Sequence, residues 1–433
     1  MLTADEMMGK GIRFLRVLWC DNANVMRAKA VHIASLRDGL AHGVGISAAQ
    51  QAVPVTVDAF EASSGLGPVG EIRLLPVWET YRTLPYAPGH ACVLGRMLLD
   101  GQPWPHCPRH FLERMLTRAE AAGLSFQAAF ENEFYLLRPT EDGFEPADQS
   151  LFCAVSSMNQ NHEFIEALCE SLLAQDIPIE QYYPESGYGQ QEISVSHADP
   201  LTAVHRQLAF RETVHAIARR QGYRATFVPK LYPNQAGSGC HLHLSLWSGQ
   251  QNLGIEGAAA SFMAGLLEHL PALMAITAPI PNSYRRLGPH LWSGAFACWG
   301  MDNREAALRV PSNPGGMPEQ FELKTLDGAA NPYLALGVVL AAGLDGVARG
   351  LERPAPVDID PGLYSHEERR ARGIARLPDS LARSLEAFEQ DPVLQEAMGP
   401  ELTRSFLSVR RKELADLGGL QLEEEVRILM DRY

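Results

Sequence analysis

Four short segments turn carboxylates and imidazoles to one side of an extended chain. In residues 126–135, strand alternation puts Phe126, Ala128, Phe130 and Phe134 on one face and Glu131, Glu133 and Tyr135 on the other. In 190–196, Glu192 sits opposite Ile193 and Val195. In 240–247, His241, His243 and Ser245 share one face, and Leu242, Leu244 and Leu246 the other. In 321–323, Glu322 lies between two apolar neighbours and shares its face with Lys324. Alternation alone means a half-buried sheet with one wet face. A second reading makes the polar faces the wall of a cleft. Clustered carboxylates repel unless a cation neutralises them. Oxygen ligands with an imidazole suit a hard divalent ion, Mg²⁺ or Mn²⁺, better than zinc. Two such ions would nearly balance five carboxylates, and a two-metal site serves phosphoryl transfer by bridging phosphate oxygens.

The elements that must position these residues follow from the rest of the chain. Residues 12–33 and 43–98 are rich in apolar and β-branched residues broken by Gly and Pro, which predicts short strands in a small N-terminal domain. Pro103, Pro105 and Pro108 mark a boundary, giving an N-terminal domain over 1–102 and a second domain over 103–433. Beyond it, helices are predicted at 109–123, 160–176, 200–221, 257–276, 331–350, 378–390 and 399–416, alternating with the four strands. The strands form no clean βαβ units, so the second domain is predicted to be α+β with a mostly antiparallel sheet.

Composition excludes several function classes. The 433 residues include 37 basic and 51 acidic ones, a formal net charge of −14. That balance argues against a nucleic-acid backbone binder, which wants a basic face, and against adsorption to an anionic membrane. No apolar run reaches about 18 residues. The longest candidate, 334–344, is cut by Asp345 and reads as a core helix. The N-terminal Met1 to Glu6 is acidic and unlike a signal peptide. Seven widely spaced cysteines without a C-x-x-C pair argue against a disulfide framework or zinc ribbon and fit a reducing cytoplasm. Gly65-Leu66-Gly67-Pro68-Val69-Gly70 matches G-x-G-x-x-G, but an extended apolar stretch follows it where a dinucleotide site needs a helix. There is no P-loop, so ATP chemistry here would need another device.

Six ordered motifs resemble the glutamine synthetase superfamily over most of the chain. They are Glu131-Asn132-Glu133; Glu185-Ser186-Gly187-Tyr188-Gly189-Gln190-Gln191-Glu192; Lys230 with the run from Gly237 to Leu246; Asn282 to Leu287; Asn303-Arg304 through Arg309-Val310-Pro311; and Glu322, Lys324, Asp327 with Ala330 to Leu334. The resemblance implies a small N-terminal β-grasp domain and a larger catalytic domain whose curved antiparallel sheet is flanked by helices. It implies a homo-oligomer of two stacked hexameric rings, a dodecamer, with active sites between subunits. It implies that Glu133, Glu185 and Glu192 hold the metal beside the amino-acid substrate, and that Glu131, His241 and Glu322 hold the metal at the ATP phosphates. Arg304 and Arg309 match arginines that neutralise phosphate charge, and Glu180, His243 and Ser245 match nucleotide contacts. Arg286 matches an arginine on the acyl-phosphate side, and Gly237 a glycine whose backbone approaches the amino acid. The implied chemistry is ATP-dependent phosphorylation of a carboxylate, then displacement of phosphate by an amine.

The departures from the family pattern concern the amine. Glutamine synthetases proper carry a flap acid where this chain has Trp292, within Pro289-His290-Leu291-Trp292-Ser293. Their F-D-G-S-S aspartate, which binds ammonium, has no counterpart in residues 45–50, Gly-Ile-Ser-Ala-Ala-Gln. An ammonium ion needs such anions to offset its desolvation. A larger amine with an apolar substituent would instead gain from Trp292 and small alanines. Trp292 also admits a plainer reading as a packed core or interface aromatic. On the acid side, Lys324 replaces a carboxylate-binding arginine and Ala236 an asparagine, and Gln320 replaces a nucleotide-side arginine. The expected activity is therefore a γ-glutamyl–amine ligase using glutamate and a small primary amine, preferentially a monoamine. The competing expectations are ammonia as the amine, a different acid, or a non-catalytic ring.

Overall fold

The computed structural model describes residues 3–36, 40–141 and 143–433. After a capped helix α1 (Ala4–Gly9), the first sheet contains β1 (Phe14–Cys20), β2 (Met26–His32), β3 (Val44–Ser47), β4 (Glu71–Thr83), β5 (His90–Leu99) and β6 (Gln102–Pro103). Its order is β2-β1-β5-β4-β3, with β6 added to β5. β1 and β5 run parallel and the other neighbours antiparallel. Leu15, Val17, Ile72, Leu74, Ala91 and Val93 alternate into its buried core. The glycine-rich stretch at 65–70 is a loop leading into β4, with no helix after it.

The second domain opens with α2 (Pro108–Ala121), β7 (Ser125–Thr140), β8 (Gly143–Pro146), α3 (Val155–Leu173), β9 (Ile179–Pro184), β10 (Gln190–Val195), α4 (Pro200–Arg220) and β11 (Arg224–Thr226). Then come β12 (Cys240–Ser248), β13 (Gln251–Asn252), α5 (Ala258–Thr277), α6 (Pro281–Arg286), β14 (Phe296–Met301), β15 (Ala306–Val310), β16 (Phe321–Leu323) and α7 (Pro332–Arg349). α8 (His366–Ala371), β17 (Ala375–Arg376), α9 (Leu381–Glu389), α10 (Pro392–Met398), α11 (Pro400–Leu417) and α12 (Leu422–Leu429) complete it. Its sheet runs β17-β14-β15-β16-β12-β7-β10-β9, with β8 and β11 on β7 and β13 on β12. The fold is two-domain α+β, as expected, with strands first and a larger sheet-and-helix unit after.

The helix starts carry their own signals. Asp199 accepts from the N–H of Thr202 and precedes Pro200 at the first turn of α4. Asn331 accepts from Tyr333 and Leu334 and precedes Pro332 in α7. Where structure and expectation differ, the cause is local. α3 begins earlier than predicted, at Val155, and ends at Leu173, because its first turns carry little periodic apolar signal. β9 lies at the sheet edge, with only Pro184 buried, and β14 pairs parallel with β15, so neither shows clean alternation. α5 and α7 are long and apolar enough to cross a membrane, with mean hydropathies of 1.4 and 1.3, yet 78% of each such stretch is buried inside the protein. They pack on each other through Gly265 and Gly346. A Cβ on Gly265 would lie 2.3 Å from the carbonyl oxygen of Ala342, so close approach requires glycine there.

The sheet's apolar side faces those helices. Leu242, Leu244 and Leu246 are buried against Phe126, Ala128 and Phe130 and the α5–α7 pair. Each buried leucine contributes about 2 kcal/mol. A one-residue slip of β12 would send these leucines to water and both histidines into the core, so the packing fixes the register of the polar face.

Candidate active site

Register assembles the polar face across five strands. His241 stands opposite Glu131 on β7, His243 opposite Glu322 on β16, Glu192 opposite Glu133, and Arg309 on β15 opposite Glu322. These strands floor a cleft of about 490 Å³. Glu131, Glu133, Glu185, Glu192, His241 and Glu322 all line it, together with Gly237, Arg286, Trp292, Arg304, Arg309 and Lys324. The remaining expected residues stand elsewhere. Ser245 accepts a hydrogen bond from the Trp247 indole, and Glu180 is exposed on β9. His243 does not line the cleft. It nonetheless lies as near the carboxylates as His241 does. Its Nε2 is 3.4 Å from Glu131 and 3.3 Å from Glu322, while His241 Nδ1 is 3.3 and 3.8 Å from the same pair. Glu131, His243 and Glu322 thus form a close three-donor group at the site. Expectation had given His243 only a nucleotide contact.

Electrostatics divide the carboxylates. Burial raises Glu131, but hydrogen bonds from His241 and His243 outweigh it and hold the acid well below its usual range. Burial also raises Glu322, and Lys324 with His243 outweighs it. The other acids lack such cover. Burial and the neighbouring Glu185 push Glu133 up to about 7. Burial, then Glu131 and Glu133, hold Glu192 well above its normal value, and burial raises Glu185. His243 is raised to about 10, because hydrogen bonds to Glu131 and Glu322 outweigh its burial. His241 is lowered to about 4 by burial and by Lys324. Five carboxylates crowd one wall. Such a donor set fits hard divalent ions.

The cations line the same cleft, close to these carboxylates. Arg309 donates to Glu322 at 2.7 Å, and Lys324 Nζ lies 3.8 Å from Glu322 and 3.4 Å from His241. Arg286 on α6 is buried and donates to the carbonyls of Lys324 and Leu326. Gly237 is required beside it, since a Cβ there would lie 2.3 Å from Arg286 Cγ. Three positioning contacts went unassigned in the sequence. Gln190 donates to Glu133 and to the Gly237 carbonyl. Ser194 donates to Glu131, and the Tyr183 hydroxyl to Glu192. Gln190 stands inside a quoted motif, whereas Tyr183 on the unrecognised β9 had no signal.

Trp292 is no packed core aromatic. It is 56% exposed at the cleft mouth, on a loop between α6 and β14 that contains no acid. Its φ is +53° and that of His290 is +62°. Such left-handed backbone costs about 1–3 kcal/mol at each non-glycine residue and needs anchoring. Ser293 Oγ exchanges hydrogen bonds with the N–H and C=O of Gly288, and His290 Nδ1 meets Asp360 at 2.6 Å. The Trp292 N–H donates to Glu305 at 2.9 Å, and Arg304 lies 5.8 Å from its ring centroid. Residues 45–50, where the ammonium-binding aspartate was sought, do not line the cleft of their own chain.

Comparison with known proteins agrees with this architecture. Residues 105–428 match the glutamine synthetase catalytic domain and residues 4–104 the glutamine synthetase N-terminal domain. A gamma-glutamylpolyamine synthetase of Streptomyces coelicolor is 37% identical over 96% of this chain and 92% of its own length. Type-1 glutamine synthetase 1 of Dictyostelium discoideum is 31% identical over 98% of this chain and 90% of its own. A solved complex of GmaS with ADP superposes with a TM-score of 0.86 at 30% identity, covering 99% of both chains. A crystal structure of a novel glutamine synthase homolog gives 0.86 at 32% identity, over 98% of this chain and 99% of that one. The chain belongs to the glutamine synthetase family. It is an ATP-dependent ligase that forms carbon–nitrogen bonds, in a family that uses divalent metals. Nearness to both amine and ammonia enzymes leaves the amine to be argued from the site.

Proposed function

We propose that the enzyme joins the γ-carboxyl group of glutamate to a small primary amine other than ammonia. The observation that carries this reading is Trp292, a half-exposed indole at the cleft mouth on an acid-free loop. An indole face favours an amine with an apolar substituent, and the absence of a flap carboxylate removes the group that would offset the desolvation of ammonium. Similarity to a gamma-glutamylpolyamine synthetase supports the class.

The reaction runs in two steps. A carboxylate oxygen of glutamate attacks the γ-phosphorus of ATP, ADP leaves, and γ-glutamyl phosphate forms. The amine nitrogen then attacks the acyl carbon, the bond to the phosphate oxygen breaks, and the nitrogen loses a proton. Arg304 and Arg309 meet the charge on the transferred phosphoryl group. Arg286 faces the acyl phosphate, and Gly237 and Lys324 face the amino acid. Glu180, His243 and Ser245 serve the nucleotide side. Glu133, Glu185 and Glu192 would hold one divalent ion, and Glu131, His241 and Glu322 another. Mg²⁺ or Mn²⁺ bound there supplies charge neutralisation and a fixed phosphate geometry. The working form in this reading is a cytoplasmic dodecamer with sites between subunits, each chain divided at 1–102 and 103–433.

One observation favours a second reading. Lys324 is buried against Glu322 and His241, where a bidentate arginine would grip a carboxylate, and this suits an acid other than glutamate. Phosphate release with ATP, Mg²⁺ and glutamate, measured against ammonia and a panel of amines, separates the cases. The proposal expects an alkyl or aryl amine to exceed ammonia in kcat/KM. Turnover with ammonia above every amine would overturn it, and turnover only with another acid would establish the second reading.

A further inference from the structure

We infer that Glu305 is the positioning residue that sets the amine-side flap, and through it the enzyme's choice of amine. The inference rests on the assignment of the 288–294 loop to the amine side. Glu305 lies immediately after Arg304, just before β15, and is 5% exposed. Its Oε1 accepts the Trp292 N–H at 2.9 Å. Its Oε2 is buried with no hydrogen-bond partner among the described residues. A buried carboxylate is costly to desolvate, so a purely structural position would be better filled by a neutral side chain. What the carboxylate provides is a strong acceptor for one N–H of a loop held at two positive-φ residues, His290 and Trp292.

Two successive residues grip the tryptophan in different ways. Arg304 approaches the indole ring, at 5.8 Å from its centroid, and Glu305 holds the same residue's backbone. Arg304 also lines the cleft on the phosphate side. The Arg304-Glu305 pair therefore ties the placement of Trp292 to the group that meets the transferred phosphoryl. Asn303, next in line, anchors the pair, donating to the carbonyls of Val357 and Ile359 and accepting the Glu305 N–H. Ser293 and Asp360 fix the base and the middle of the loop, but no other side chain among the described residues holds the Trp292 N–H.

The test uses the full-length enzyme and the variants Glu305→Ala, Glu305→Asp and Glu305→Gln. Alanine removes the acceptor, aspartate withdraws it by one methylene, and glutamine keeps an oxygen at the same reach. Hydrogen exchange of the peptide covering 288–294 reads the flap without reference to any substrate. Exchange should rise by about tenfold in the alanine variant, the size of one charge-assisted hydrogen bond, less in the aspartate variant and little in the glutamine variant. In steady-state assays the alanine variant should raise KM for the amine by a similar factor, leave KM for ATP unchanged, and be rescued by glutamine. Unchanged exchange over 288–294 in both the alanine and aspartate variants would overturn the inference. So would a loss of kcat with every KM unaltered, which marks general damage to the sheet. If the enzyme prefers ammonia, the proposed function fails while the exchange result still decides whether Glu305 holds the flap.

Discussion

Among the described residues, two clusters place a histidine between carboxylates, and they have opposite characters. Glu131 and Glu322, which line the cleft with Glu133, Glu185 and Glu192, flank His243. In the helical layer, His269 of α5 meets Asp391 at 2.6 Å through Nδ1 and Asp345 of α7 at 3.1 Å through Nε2. The second cluster is satisfied. Asp345 also receives Arg349, Asp391 caps the start of α10 through Leu394, and Arg349 extends to Glu268. The first is in excess, with Glu133 pushed up to about 7 and Glu192 held well above its normal range. A satisfied cluster is a staple between elements, whereas an over-charged one has the donor chemistry that suits hard cations. Residue types do not distinguish the two; the hydrogen-bond inventory around them does.

The sharpest way to break this contrast is Glu322→Ala. It leaves Arg309, His243 and Lys324 without their shared carboxylate and, in the proposed reading, removes a metal ligand from the phosphate side. Phosphate release should fall by about a hundredfold to a thousandfold while urea unfolding changes little. Retained activity would mean that the cleft cluster is no more functional than the staple.

His269→Ala should do the reverse, destabilising the protein by about 3 kcal/mol in urea unfolding and leaving KM for ATP unchanged. The staple also carries a pH signature. Burial lowers the imidazole pKa, but hydrogen bonds to Asp391 and Asp345 outweigh it, so the folded value lies above the usual 6.5. A raised folded pKa adds its full stability below pH 6.5 and loses it as pH rises through the folded value. The stability gap between wild type and His269→Gln should therefore narrow on going from pH 6 to alkaline pH. A gap that widened instead would show that His269 is buried neutral.

The same contrast explains what was legible in the sequence. Leu242, Leu244 and Leu246 alternate with His241, His243 and Ser245 because one face packs and the other works, so period two exposed both the core and the site. Asp199-Pro200 announced α4 by cap chemistry. β9 stayed hidden because an edge strand buries little and so carries no alternation, and Tyr183 stayed hidden with it. β14 escaped because its parallel pairing leaves an apolar run without a period. Glu305 had no signal at all, since its partner is a backbone N–H thirteen residues away whose placement depends on a left-handed turn. Side chains that meet side chains across a sheet can be read from register; those that serve backbone groups in loops cannot.

A smaller effect sharpens the amine side. Trp292→Glu returns an acid to the flap and should shift kcat/KM towards ammonia, relative to the best amine, by about tenfold, roughly one partly buried ion pair. An unchanged ratio would show that the flap does not discriminate.

The central claim is tested most directly by competition. Glutamate, ATP and Mg²⁺ are supplied with equal concentrations of ammonia and a primary alkyl or aryl amine, and the products are weighed by mass spectrometry. The account predicts that the substituted γ-glutamyl amide dominates over glutamine. Glutamine as the main product against every amine tried would contradict it.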